Sequence, residues 1–333
     1  MSAHHSASRH DADQNSEMAM NTVSVLVPVY RVEPFFDRCL RSLFAQTYQD
    51  IEFVFVNDCT PDNSMGLLKD YCERYPDVAA RVKVIENERN MGIAPVRNRL
   101  LDHATGDYVL FVDSDDWIET DMVEVLVRKA QATGADMVGC DYYEDYPDRS
   151  EYRRQTYPES HEQRMRDMTL LRIKGVLWKL LVRRSLFEEN HIRFVEDIHF
   201  GEDYILCCKL FALARHVESV SKALYHYVQY NPNNYSNSSD ANIDSLCRAI
   251  CSVETFYREQ GLLPLLEKEL LQRKFILKSV YVLDARRRDL RRWGRLFSES
   301  NWSWKGLGYG RANRLLFAWA ALLHSCRQHL PSL

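Results

Sequence analysis

The first half of this chain alternates between short, nearly continuous apolar runs and longer segments whose apolar residues recur at helical spacing. The apolar runs cover residues 23–29, 51–57, 81–87 and 108–113, and the helical segments lie near residues 34–46, 62–75 and 94–104. Runs rich in β-branched residues are typical of strands buried on both faces, and helices between them form right-handed crossovers. The pattern therefore predicts an α/β fold with a mostly parallel sheet flanked by helices.

The pattern changes in the second half of the chain. A helix at 122–132 and a strand at 135–143 are followed by a polar, Tyr-rich stretch, residues 144–165, which predicts a loop over a site. Strand and helix signals mix from residue 177 to 230, and residues 243–284 are helical throughout. With 333 residues, of which 46% are hydrophobic, the chain is long enough for a core domain with an appended region.

Two further features bear on location. Residues 1–21 are polar and lack an apolar central region, so they predict a disordered leader rather than a targeting signal. Nine cysteines without paired CxxC spacing favour a reducing cytosol over a disulfide framework. Together these features predict a cytoplasmic protein.

The strand at 108–113 runs directly into an acidic cluster, Asp113, Ser114, Asp115 and Asp116. Side chains alternate faces along an extended chain, so Asp113 and Asp115 project to the same side where the strand leaves its sheet. Carboxylates suit Mg²⁺ or Mn²⁺, and this edge of an α/β sheet is where nucleotides bind. For these four residues alone, a solvated turn that caps the next helix remains the alternative.

The sequence of the turn after the first strand distinguishes between the nucleotide-binding folds. It reads PVYRVEPF, so it contains neither the GxGxxG of dinucleotide-binding folds nor the GxxxxGK[ST] of P-loops. The segment GLGYG at Gly306 follows no strand and lacks the spacing. A sugar nucleotidyltransferase would also be expected to carry a glycine-rich first loop, so the turn counts against that class too.

Five segments resemble the family 2 glycosyltransferases of the GT-A fold, in which a Rossmann-like sheet is flanked by helices. They are VSVLVPVYRVEPFFDRCLRSLFAQTY (23–48), FVNDCTPDNS (55–64), ENERNMGIAPVRN (86–98), HATGDYVLFVDSDDW (103–117) and RRSLFEENHIRFVEDIHFGED (183–203). Ordered matches are far more specific than a single motif. The resemblance implies a catalytic domain at 22–235, with a nucleotide-binding half at 22–118 and an acceptor half at 119–235, followed by a helical C-terminal region at 236–333.

The resemblance also implies which residues bind a UDP-sugar donor. Asp58 matches the aspartate that reads the uracil, and it could equally form the turn in which it lies. Tyr30, after Pro28, could stack on the base or pack as a core residue. Arg97 matches the arginine near the nucleotide, where its fork suits diphosphate or base oxygens, and a surface ion pair is the alternative.

The acidic cluster then takes the roles that the family's DxD motif implies. Asp113 is expected near the ribose and Asp115 on a divalent metal, Mn²⁺ or Mg²⁺, with Asp116 also close to the metal. Ser114 belongs to the same donor-binding turn. The cation would neutralise the nucleoside diphosphate as it departs.

The same resemblance implies a general base and an acceptor contact. In an inverting transfer, a carboxylate removes the proton of the attacking acceptor hydroxyl. The family's ED motif assigns this role to Asp203, next to Glu202, although acidic residues in a first helical turn also serve as caps. Trp178 matches the family's tryptophan beside the acceptor site, where it could stack on a sugar or lie in the core.

The C-terminal segment has its own character. From Arg286 onward there are nine arginines and one lysine against Asp289 and Glu299, together with Trp302 and Trp304. The apolar stretch RLLFAWAALLH is too short for a membrane span, which needs about 20 residues. The composition favours a helix in the interface of an anionic membrane, with a helix that packs on the catalytic domain and exposes arginines as the alternative. Nucleic acid is not expected as a partner, since no recognised nucleic-acid module accompanies the arginines.

These observations predict a cytoplasmic, peripherally membrane-associated, metal-dependent inverting glycosyltransferase. It would transfer a hexosyl or N-acetylhexosaminyl group from a UDP-sugar to a saccharide or lipid-linked saccharide in cell-surface polysaccharide synthesis. The alternatives are a non-catalytic nucleotide-sugar or glycan-binding protein on the same fold, and a sugar nucleotidyltransferase.

Overall fold

The computed structural model describes residues 21–232 and 240–329, so all of the predicted leader at 1–21 except its last residue lies outside the described residues. Nine strands form one sheet in this part of the chain: β1 (Val23–Val29), β2 (Ile51–Asn57), β3 (Val82–Glu86), β4 (Tyr108–Phe111), β5 (Trp117–Ile118), β6 (Met137–Asp145), β7 (Ser150–Arg153), β8 (Leu180–Arg183) and β9 (Val217–Val228).

The described helices begin and end close to where the sequence pattern predicts them in the first half of the chain. They are α1 (Glu33–Phe44), α2 (Ser64–Arg74), α3 (Pro76–Ala79), α4 (Ile93–His103), α5 (Met122–Thr133), α6 (His161–Thr169), α7 (Arg184–Glu189), α8 (Glu202–Leu213), α9 (Asp240–Glu259), α10 (Leu263–Lys278), α11 (Val280–Leu283), α12 (Leu290–Arg295) and α13 (Arg311–His329), with a 3₁₀ turn at Ser298–Ser300.

The sheet has the strand order β3-β2-β1-β4-β8-β6-β9-β5, and β7 pairs with β6 outside this path. Strands β3, β2, β1 and β4 are parallel, as the alternating pattern predicts. Strand β8 runs antiparallel to both of its neighbours, β4 and β6, whereas β6 and β9 are parallel. The predicted α/β fold is confirmed, but the sheet is mixed beyond β4.

Both faces of the parallel part are buried, which explains its nearly continuous apolar runs. In β2, Phe53 and Phe55 face one core cluster, and Val54 and Val56 face the other. Complete burial of such a side chain contributes roughly 1.5–3 kcal/mol to stability. The core therefore fixes the strands, and with them the carboxyl edge of β1 and β4.

The predicted loop at 144–165 is wrong at both ends, because β7 lies within its first half and α6 begins at His161. Strand β6 continues to Asp145 and pairs with β7 in an antiparallel hairpin. Arg153 lies 2.7 Å from Glu144 across the hairpin, and the Tyr152 hydroxyl donates to Asp141 at 2.6 Å. Charged and aromatic cross-strand pairs stabilise a sheet, so a polar composition here does not indicate a loop.

The C-terminal helices form a compact layer with a partly exposed last helix. Trp293 and Phe317 are buried, and Phe275 packs edge-on against both rings. On α13, the opposite face leaves Leu315 73% and Trp319 52% exposed. In the described parts of the chain, 21–232 and 240–329, none of the helices is long and apolar enough to cross a bilayer.

Candidate active site

The acidic turn follows β4 at the carboxyl edge of the parallel strands. The Asp116 amide donates to the Asp113 carbonyl at 3.0 Å and closes the turn. The Asp116 side chain points into the protein and is 1% exposed. Its Oδ2 accepts from the Tyr225 hydroxyl at 2.7 Å, and its Oδ1 accepts from the Val228 amide at 2.8 Å. Both oxygens of Asp116 thus anchor the turn to β9, and its role at a metal stays a prediction.

Asp113 and Asp115 can each still bind a metal ion. One oxygen of Asp113 accepts from Arg97 at 2.9 Å, and one oxygen of Asp115 accepts from the Asn231 amide group at 2.8 Å. Burial, together with the charge of Asp113, raises the pKa of Asp115 to about 6. A divalent cation would offset the repulsion between two carboxylates that have too little positive charge nearby.

The predicted metal site can be compared with these contacts. Among the described residues, no group of three His, Cys, Asp or Glu side chains is close enough to hold a metal ion by itself. Mg²⁺ usually keeps several waters and binds through one or two carboxylates plus substrate phosphates, and Mn²⁺ accepts the same oxygen ligands. Asp113 and Asp115 therefore fit a cation that is also held by the donor.

A second acidic pair lies at the start of α8. Gly201 precedes the helix with φ +92°, and a Cβ there would come within 2.9 Å of Leu246. Only glycine adopts this conformation and this close approach without strain. The helix therefore begins at Glu202, with Asp203 beside it in the first turn. Burial raises the pKa of both carboxyl groups, and Arg97 opposes the rise.

Arg97 joins the two acidic pairs. Its Nη1 donates to Glu202 at 3.0 Å and to Asp203 at 2.5 Å, and its Nη2 donates to Asp113 at 2.9 Å. The side chain is 5% exposed, and its buried Nε has no hydrogen-bond partner among the described residues. The guanidinium N–H groups of Arg97 therefore donate to carboxylates, whereas the resemblance predicted that they contact diphosphate or base oxygens.

The expected base-binding residues lie along the neighbouring strand ends. Asp58 is buried after β2 and accepts from the Asn87 side chain at 2.7 Å, the Met91 amide at 2.7 Å and the Gly92 amide at 2.9 Å. It thus ties the turn after β2 to the loop before α4. Tyr30 is half-buried after β1, beneath the Arg31 guanidinium at 5.1 Å.

Two smaller donor-side residues and the acceptor tryptophan are all buried. Pro28 lies within β1, and Ser114 is buried in the acidic turn. Trp178 is 3% exposed, and its ring stacks on Tyr225 with centroids 4.3 Å apart and meets Tyr142 edge-on at 5.0 Å. The burial of the ring favours the core alternative for Trp178, and its role beside the acceptor stays a prediction.

Two site residues were missed in the sequence. Tyr225 donates to Asp116 and accepts from the Asp113 amide at 3.1 Å, so it braces both ends of the acidic turn. Asn231 contacts Asp115 from the end of β9. The alternation in ALYHYVQY indicates a strand, but no local signal places that strand beside the acidic turn.

A parallel unit with paired carboxylates at its carboxyl edge, facing a second acidic pair on a helix, is the architecture of a GT-A glycosyltransferase. Residues 24–190 match the family model described as glycosyl transferase family 2. The glycosyltransferase EpsJ of Bacillus subtilis (strain 168) is 36% identical over 253 residues, which are 72% of this chain and 71% of EpsJ. The chain belongs to glycosyltransferase family 2 and is a glycosyltransferase.

Solved structures show the same fold. Residues 1–349 of TarS from S. aureus superpose with a TM-score of 0.67 at 21% identity, covering 94% of this chain and 93% of that one. The same TarS fragment in complex with UDP-GlcNAc gives a TM-score of 0.61 at 19% identity, covering 92% of each chain. The mannosyltransferase PcManGT from Pyrobaculum calidifontis, in complex with GDP-Man and Mn²⁺, gives 0.53 at 16% identity, covering 93% and 88%.

Proposed function

We propose that this glycosyltransferase transfers a hexosyl or N-acetylhexosaminyl group from a UDP-sugar to a saccharide or lipid-linked saccharide, with inversion at the anomeric carbon. The product would enter cell-surface polysaccharide synthesis at the cytoplasmic face of the membrane. One observation carries the proposal: Arg97 brings the donor-side Asp113 and the helix-borne Asp203 together around one guanidinium. A leaving-group site and a base are thereby held at the same cleft.

On the donor side, Asp113 and Asp115 would hold Mn²⁺ or Mg²⁺, which supplies Lewis-acid stabilisation of the departing diphosphate. Tyr30 and Asp58 lie at the ends of the neighbouring strands, where they can contact the base. Binding of UDP-GlcNAc by TarS and of Mn²⁺ by PcManGT, on the same fold, supports a nucleotide-sugar donor and a metal.

On the acceptor side, Asp203 would take the proton of the attacking hydroxyl. The hydroxyl oxygen forms a bond to the anomeric carbon from the face opposite the diphosphate, which leaves with its bonding electron pair. Burial raises the pKa of Asp203, and a base is most effective when its pKa lies near the working pH. Arg97 opposes the rise, so the pKa of Asp203 is lower than burial alone would make it.

The enzymatic proposal is tested by UDP release from a panel of UDP-sugars with Mn²⁺ or Mg²⁺. Asp115→Asn and Asp203→Asn should each lower turnover by at least about 100-fold, which is the scale of lost electrostatic or general-base catalysis. A chain that binds UDP-sugars without releasing UDP would be the binding protein considered above. Unchanged turnover in both variants would contradict the proposed mechanism.

We also propose peripheral attachment to an anionic membrane through α13. Leu315, Trp319 and Leu322 are 73%, 52% and 55% exposed and share one helical face. Because Phe317 and Ala321 bury the opposite face, the helix both packs and presents an apolar stripe. Arg311 and Arg314 are exposed on the same helix, so the surface of α13 combines basic residues with the apolar stripe.

Positive charge for phosphate headgroups lies on the adjoining helix. A surface depression of about 530 Å³ at α12 is lined by Asp289, Arg291, Arg292, Arg295 and Leu296. Basic residues near a membrane surface contribute about 1 kcal/mol each toward binding anionic lipid. Helices α12 and α13 pack against each other, so the basic residues lie on the helix that adjoins the one with the apolar stripe. An interfacial helix combines these two features.

Vesicle flotation tests the attachment. Trp319→Glu should reduce flotation with anionic vesicles by about tenfold or more, because a charge replaces a ring that would be buried in the interface. Tyr75→Glu is the matched control, since Tyr75 is 48% exposed on α2's C-terminal side, away from the stripe. Equal flotation of the two variants, or equal binding to zwitterionic vesicles, would contradict the proposal.

A further inference from the structure

One guanidinium connects three carboxylates that come from separate parts of the chain. Arg97 lies on α4, Asp113 follows β4, and Glu202 and Asp203 begin α8. The three N–H···O distances to Asp113, Glu202 and Asp203 are 2.9, 3.0 and 2.5 Å. The arginine therefore spans the donor half and the base half of the cleft, and it does so through both of its terminal nitrogens.

The arginine is itself held in place. The guanidinium lies over the Phe194 ring, with 5.7 Å between Cζ and the ring centroid. Helix α4 starts after Gly92, whose amide donates to Asp58 at 2.9 Å. The position of Arg97 is thus set by packing and by the loop that Asp58 anchors, before any ligand arrives.

Only a planar fork makes this connection. Nη1 and Nη2 diverge in fixed directions, so one side chain can donate to carboxylates on opposite sides. A lysine at this position would supply the same charge from a single nitrogen, which cannot occupy the positions of both Nη1 and Nη2. Comparing arginine with lysine at position 97 therefore separates the effect of the positive charge from the effect of the bridge.

We propose that Arg97 is a positioning residue for the general base, which orients Asp203 against the donor-side Asp113 instead of binding the diphosphate. The inference rests on the proposed function, because it requires Asp203 to act as the base. Arg97 then acts on the reaction through Asp203. Loss of the bridge should lower kcat and leave nucleotide binding nearly intact.

The test is a double-mutant cycle with Arg97→Lys, Asp203→Asn and the double variant. Arg97→Lys should lower kcat about 100-fold, the scale expected when a catalytic group is misplaced by about 1 Å. Its Kd for UDP with Mn²⁺ should change by less than about threefold, and the double variant should be about as slow as Asp203→Asn alone. Arg193→Lys is the matched control, because Arg193 also pairs with two carboxylates, Asp102 and Glu188, at 3.2 Å each, on the surface.

Phe194→Leu provides a second route if Arg97→Lys does not fold. It loosens the guanidinium without changing any charge, so kcat should fall several-fold, with unchanged UDP affinity, and not at all in the Asp203→Asn background. A Kd for UDP weakened more than tenfold, or losses that multiply in the double variants, would overturn the positioning role. Full activity of Asp203→Asn would instead refute the proposed function, whatever Arg97 does.

Discussion

Replacing Tyr225 by Phe removes one hydroxyl from beneath the acidic turn. That hydroxyl donates to Asp116 at 2.7 Å and accepts from the Asp113 amide at 3.1 Å. The ring is buried and stacks on Trp178, and phenylalanine keeps that packing. The substitution therefore removes two hydrogen bonds and opens no sizeable cavity.

The expected decrease in the free energy of unfolding follows from those two hydrogen bonds. A hydrogen bond to a charged group contributes about 1.5–3 kcal/mol, and a buried amide left without its partner costs about 1–3 kcal/mol. Since Asp116 still accepts from the Val228 amide, the losses should not add fully, and we expect the free energy of unfolding to fall by about 2–4 kcal/mol at neutral pH.

The pH dependence has a defined sign. Burial raises the pKa of Asp116, and the Tyr225 hydrogen bond opposes that rise, so Tyr225→Phe should raise the pKa further. The bond stabilises the ionised carboxylate, and its contribution is lost as the pH falls through the pKa of folded Asp116. The difference between wild type and variant should therefore shrink in acid.

Urea unfolding at several pH values measures the effect. Tyr152→Phe is the matched control, because its hydroxyl also donates to a carboxylate, Asp141, at 2.6 Å, but from a side chain that is 44% exposed. We expect the control to lose at most about 1.5 kcal/mol. Equal losses in the two variants, or a difference that grows in acid, would refute the role of Tyr225 in bracing the turn.

Three further outcomes are expected. Glu202→Gln should move the acid limb of the kcat profile to lower pH, because one negative neighbour of Asp203 is removed and the pKa of the base falls; a pH titration of kcat measures this. Asp58→Asn should weaken UDP binding about tenfold or more in a calorimetric titration, since the new NH₂ group opposes the Met91 or Gly92 amide and the loop shifts. Gly201→Ala should cost about 1–3 kcal/mol in thermal unfolding and lower kcat, because a Cβ at φ +92° strains the start of α8.

The local pattern was sufficient for most of the first half of the fold. Strands buried on both faces read as apolar runs, and the helices between them carry their own spacing, so β1 to β4 and the helices α1, α2, α4 and α5 were recognisable along the chain. The hairpin at β6 and β7 was not, because its stability comes from cross-strand pairs such as Glu144 with Arg153. Such pairs have no signature within one segment.

The candidate site likewise has features that the sequence identified and features that only tertiary packing decided. Asp113, Asp115 and Asp203 were identifiable because their motifs are contiguous, and a carboxylate after a strand or at a helix start has a definite local position. Whether a carboxylate faces the cleft depends on what packs behind it. Tyr225 and the Val228 amide turn Asp116 inward, and this contact joins segments more than 100 positions apart.

The sequence by itself determined the kind of chemistry: the order of strands and helices, the acidic turn, and the acidic start of α8. Tertiary structure alone decided the partners. It buried Trp178 in the core, placed Tyr225 beneath the turn, and used Arg97 to join the two acidic pairs. The reason is physical, since residue type and local periodicity are properties of a segment, whereas burial and hydrogen-bond partners arise only when distant segments pack together.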